Sequence, residues 1–176
     1  MSVGKKVFTQ FSGSDQGIPQ SLAQIDVLIG APLPAALAGL LEGFSGPIWL
    51  DSGPQSEVGV RCKTAPDFSV DGFLPLDLFF GRNSGRNGLS SVFLAYQNRL
   101  SDGSVPIALV AGDNLVVWSK MDQAVYFWDH EGPGEENSPD AVTHIADSVE
   151  DLLERLEERP IAKSDKPKIV RSNFNF

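Results

Sequence analysis

The sequence predicts an α+β fold, a single domain in which two N-terminal helices and one C-terminal helix pack on a mainly antiparallel sheet. Three observations carry this. Apolar residues recur at helical spacing near the start, the middle breaks into short apolar runs punctuated by Gly, Pro, Asn and Asp, and a capped amphipathic stretch closes the pattern. The length of 176 residues suits one domain, 1–176, with its core at about 18–160 and a basic tail at 161–176.

Over 18–29, Ile18, Leu22, Ile25 and Leu28 or Ile29 fall at helical spacing, with Pro19 suited to a first turn and Gly30 to the stop. A second helix is expected from near Pro34, because Leu37, Leu40, Leu41 and Phe44 lie at i, i+3, i+4 and i+7. Strands are expected at 48–51, 57–62, 91–97, 105–110, 114–119 and 124–129. Gly112-Asp113 can supply the positive φ of a tight turn, and Ser119 to Gln123 a longer one, so 105–129 reads as a three-stranded meander. Residues 72–81, GFLPLDLFFG, are too apolar for solvent, yet Pro75 opposes a central strand, which leaves a short helix or an irregular buried stretch. RNSGRNG at 82–88 is a polar loop, expected to be mobile. The last helix is capped at Asp147 or Ser148, carries its apolar stripe on Val149, Leu152, Leu153 and Leu156, and runs to Pro160.

The charge is uneven. The chain has 23 acidic and 14 basic side chains, a net charge of −9. Residues 126–160 alone hold eleven acids against Arg155 and Arg159, which accounts for the whole excess. Such a field repels phosphates and disfavours nucleic acid, whereas it attracts cationic partners; a solvated face that only aids solubility is the alternative. The contacts expected for a cationic partner are Asp129, Glu131, Glu135 and Glu136, with Glu150 and Glu154 on the helix beyond.

No reactive constellation emerges. Asp129, His130 and Glu131 have the chemistry of a metal or proton-transfer site, but neighbours on a strand point to opposite faces. His144, the second of two histidines, would have to approach. Cys62 alternates with Val58 and Val60 as an inward strand residue does, and as the only cysteine it has no intrachain disulfide partner, which fits a reducing compartment. GRNSGRNG lacks the Lys-Ser/Thr ending of a phosphate loop. Trp118, Tyr126 and Trp128 read as core packing, with an interface cluster as the alternative. The opening lacks the apolar run of a signal peptide, and no apolar stretch is long enough to cross a membrane. A cytoplasmic protein with no cofactor, no metal and no catalytic residue is expected.

Read in order, IDVLIGAPL followed by Pro34 (25–34), LFFG (78–81), VPIALVAGDNLVVW (105–118), AVYFWDHE (124–131) and IADSVEDLLERL (145–156) form a succession of motifs. Over about 18–158 this resembles the SUKH superfamily, in the branch named after a fungal regulator of cell-wall assembly. Apart from LFFG the resemblance does not extend to 45–90, and Val149 stands where that family usually has Phe. It implies helices on a mainly antiparallel sheet and no catalysis. Many bacterial members are immunity proteins that neutralise a cognate toxin, often a nuclease or deaminase. Such a toxin, with a basic surface, is the partner the resemblance implies here; fungal members are regulatory scaffolds, and a metal-dependent hydrolase built on Asp129, His130 and Glu131 is the remaining alternative.

Overall fold

The computed structural model describes residues 17–50, 55–132 and 135–161, and the backbone of 8–10. In chain order its elements are β1 (Phe8–Gln10), α1 (Leu22–Ile29), α2 (Ala35–Gly43), β2 (Ile48–Leu50), β3 (Ser56–Arg61), β4 (Phe73–Pro75) and β5 (Leu78–Phe79). There follow α3 (Leu89–Tyr96), β6 (Ser104–Val110), β7 (Asn114–Ser119), β8 (Val125–Trp128), β9 (Val142–Ala146), α4 (Val149–Glu154) and β10 (Leu156–Pro160). The fold is α+β. One sheet has seven strands in the order β1-β2-β5-β6-β7-β8-β9, a smaller one runs β10-β3-β4, and neighbouring strands pair antiparallel throughout.

α1 starts later than the apolar period suggests, because Ser21 caps it. Its Oγ accepts from the Gln24 N–H at 3.2 Å, and Gln24 Oε1 accepts from the Ser21 N–H at 2.8 Å, a reciprocal pair that satisfies two orphan donors. Pro19 instead bridges to Asn83, and Ile18 is left 78% exposed. Gly30 closes the helix at φ +71°. The meander forms as expected, and the turn between β6 and β7 holds Gly112 at φ +76° and Asp113 at φ +60°.

Three expectations are corrected. Residues 91–97 are not a strand: Leu89, Val92, Phe93 and Tyr96 already stand at i, i+3, i+4 and i+7, and this helical period, in α3, prevails over the β preference of Val, Phe and Tyr. The 72–81 run is neither a helix nor irregular but two strands, β4 and β5. Backbone bonds from Cys62 N–H to Gly72 C=O and from Leu76 N–H to Val58 C=O turn the Pro75 nitrogen away from β3, so its missing donor costs no ladder bond on this edge strand. The last helix stops at Glu154. Ser148 caps it as expected, but 156–160 continue as β10 along β3, with Arg159 opposite Glu57 and bonded to it at 2.8 Å. Leu152 is buried, whereas Leu153 and Leu156 are only half-buried.

Gly59 explains how this small sheet closes. A Cβ there would lie 2.2 Å from the Leu74 carbonyl oxygen and 2.7 Å from the Phe73 ring, so the absent side chain makes room for that ring. Arg159 then covers the ring, its guanidinium carbon 3.9 Å from the centroid.

The 82–88 loop is tied down rather than loose. Arg82 donates to the carbonyls of Leu41 (2.8 Å) and Gln20 (3.0 Å), and Ser84 and Ile18 exchange bonds of 3.0 and 2.9 Å. The expected basic tail lies outside the described residues from 162 onward.

Trp118 and Trp128 are buried in a core shared by both sheets and all four helices, and Tyr126 is half-buried against it. Residues opposite one another across a ladder share a face. Trp49, Leu78, Leu109, Leu115 and Trp128 therefore form one row across β2, β5, β6, β7 and β8. Ile48, Phe79, Ala108, Val116 and Phe127 form a buried row on the reverse face. α3 covers the Trp128 end of the first row, where the Tyr96 ring meets Trp128 edge-on at 5.8 Å.

Candidate functional site

The acidic residues after β8 sit in a loop in which several backbone groups of the described residues are bonded inward. Asp129 N–H donates to the Ala141 carbonyl at 3.0 Å, which joins the loop to the start of β9. Asp129 Oδ1 accepts from the Glu131 N–H at 3.0 Å. The His130 N–H donates to Asn114 Oδ1 at 3.3 Å, and its Nδ1 lies 3.0 Å from the same oxygen. Asn114 is 4% exposed at the first position of β7, so the loop is referenced to a fixed point in the sheet.

Glu136 is the second fixed point. Its backbone carbonyl accepts from the Trp128 indole N–H at 2.7 Å. Its carboxylate accepts two bonds from Arg99, at 2.7 and 2.6 Å, and the Arg99 guanidinium lies over the rings of Tyr96 (4.9 Å) and Trp128 (5.3 Å). This bidentate pairing lowers the Glu136 carboxyl below its ordinary range and raises Arg99 further above its own.

The structure thus brings four of the six expected residues together and separates the other two. Asp129, Glu131, Glu135 and Glu136 lie at one end of β9. Glu150 and Glu154 are exposed on α4, past the other end, and five residues of strand hold the groups roughly 15 Å apart. Glu131 and Glu135 point outward, with the Glu131 side chain 85% exposed. Asp129 is half-buried and lines a cleft of about 280 Å³ with Asp67 and Asp140, beside Phe127.

Neighbouring bases reduce the charge at the α4 end. Lys63 pairs with Asp147 and lies 3.6 Å from Asp151, which also accepts from Arg155 at 2.7 Å, and Arg61 pairs with Glu157. Burial acts to raise the Asp151 carboxyl, but the Asp147 N–H and Arg155 bonds outweigh it and the net shift is downward.

No protein-family model matches the chain, and no curated protein matches it.

Asp67, Asp113 and Arg99 belong to this end of the molecule, but in the sequence Asp67 and Arg99 do not stand out and Asp113 does so only as a turn residue. Asp67 comes from the long link between β3 and β4, Asp113 from the β6–β7 turn, and Arg99 from just beyond α3, so only tertiary pairing delivers them.

His130 faces Asn114 and Trp128, while His144 faces the Tyr126 ring at 5.5 Å and Asp147 at 3.4 Å. Among the described residues no three His, Cys, Asp or Glu side chains are grouped to hold a metal ion. Cys62 is buried, and burial pushes its thiol up to about 11, which depletes the nucleophilic thiolate at neutral pH. Among the described residues no helix is long and apolar enough to cross a membrane.

Proposed function

We propose that the chain is a non-catalytic protein-binding module whose loop 129–140 receives a cationic partner. In line with the SUKH resemblance, it acts in the cytoplasm as an immunity protein that neutralises a nuclease or deaminase toxin, with no cofactor or metal. One observation carries the reading: the loop is fastened through Trp128, Asn114 and Arg99, while the carboxylates of Glu131 and Glu135 are left facing outward. A pre-arranged acidic surface suits a toxin that must itself hold phosphates, because the same basic cleft attracts both, and fixed charges steer encounter without an ordering cost.

The test is capture from a lysate of the source cell, followed by kinetics with the purified partner. A cognate toxin should lose its toxic activity on stoichiometric addition of the protein. The double substitution Glu131→Lys and Glu135→Lys should slow association roughly tenfold or more and flatten its dependence on salt, with a smaller effect on dissociation. A captured toxin whose association is changed neither by the double substitution nor by raising the salt from low to physiological would remove the loop from the interface.

A further inference from the structure

Acids alone make a rim. Tight interfaces add a desolvated apolar centre in which a few anchors carry most of the energy, with charged groups around it. Such a centre lies beside the loop. Beside α3, which packs on β6 and reaches Trp128 through Tyr96, the row residues Trp49, Leu78, Leu109 and Leu115 line a groove of about 390 Å³ walled by Tyr96, with Leu78 and Leu115 fully buried. Trp49 is 36% exposed and Leu109 half-buried, so this lining presents apolar surface to solvent. Arg86 and Asn87 also line the groove, and these two and Trp49 each have an interaction within the chain.

Two features join the groove to the acidic loop. Asp113 lines it, and the next residue, Asn114, is the one that holds His130. Asp113 and Glu131 therefore flank the same hydrogen bond at one end of β7 and β8. Tyr96 and Trp128 lie together under Arg99, the side chain that clamps Glu136. Groove and loop thus form one surface, apolar in the middle and acidic along one side.

We propose that this groove is the anchor pocket of the interface, taking an apolar side chain of the cationic partner whose bases meet Asp113, Glu131 and Glu135. The proposal rests on the acidic-loop reading above and specifies the partner's chemistry as a bulky apolar residue flanked by Lys or Arg.

The probe is a short peptide with Leu-Trp-Leu between lysine pairs, and its twin has Ser-Gly-Ser at the centre. Each is titrated into isotope-labelled full-length protein and followed by amide and indole NMR shifts. The Leu-Trp-Leu peptide should shift the Trp49 indole and the amides of Tyr96 and Leu109 together with those of 129–136, and bind roughly tenfold or more tighter than its twin. Trp49→Ala should erase that advantage. Ala95→Arg, at an exposed α3 position lining the groove, should do the same by filling it without touching the core. If both peptides shift only 129–136 and bind equally, the groove proposal is overturned while the loop reading stands. Silence of 129–136 toward both peptides overturns both.

Discussion

The loop 129–140 and the segment 147–159 are both rich in acids, yet the structure treats them differently. In the second, acids face bases from β3 and its flank and from the segment itself: Lys63 meets Asp147 and Asp151, Arg61 meets Glu157, and Arg155 meets Asp151 within the segment. Those charges largely cancel in place, and they bind α4 and β10 to β3. In the loop, Glu136 is drawn into such a pair by Arg99 and is held through its backbone by Trp128, while Glu131 lies 4.0 Å from the His130 imidazole and Glu135 faces solvent. A run of carboxylates in a sequence therefore says little about field strength until their partners are known. Here the effective field belongs to the loop more than to the helix.

The comparison can be broken at its anchors. Trp128→Ala removes the ring beneath Arg99 and Tyr96 as well as the indole bond to Glu136, and should destabilise the protein by about 3–5 kcal/mol in urea titration. The corresponding cut at the other end, Leu152→Ala, should cost about 2–5 kcal/mol, and Leu153→Ala less, because Leu153 is half-buried. Equal costs at 152 and 153 would mean that α4 packs differently.

Acid sharpens the contrast. The Glu136 carboxyl is lowered by its bond from Arg99, so the stability it contributes is complete above the unfolded carboxylate value of about 4.3 and is lost as pH falls through the lower folded value. Glu136→Gln should shrink the loss of stability between about pH 5 and pH 2 measured by urea midpoints. An acid limb identical to that of the unsubstituted protein would show that the clamp is energetically neutral. The smallest effect is expected from Glu150→Gln and Glu154→Gln, whose exposed carboxylates should move stability by no more than about 0.5 kcal/mol.

Much of the sheet is legible because its signals are local. The Gly112-Asp113 turn and the apolar runs on either side of it specify β6, β7 and β8 without reference to the rest of the chain. The misread segments are those whose state is set at a distance. Residues 156–160 extend a plausible helix, and only the presence of β3, with Glu57 waiting for Arg159, makes them a strand. Residues 89–96 carry β-forming side chains in a helical order, and the order prevails because it places Leu89 and Val92 in the core. The candidate site divides the same way. Its acids are visible as composition, but Arg99, Asp67 and Asp113 reach it only through folding, and the distance between the loop and α4 is a property of β9 that no residue count within the acidic run reveals.

The strands β4 and β5 are one continuous stretch, 73–79, serving both sheets in turn, the small one through Phe73–Pro75 and the large one through Leu78–Phe79. Neither sheet can peel away without dragging this stretch from the other. Phe73, Leu74, Leu78 and Phe79 are all fully buried, so the drag would expose much of the shared core. The two sheets therefore belong to one cooperative unit: amide exchange in β3 and in β6 should proceed through the same global opening, and unfolding should be a single transition in which the small sheet has no separate melting point.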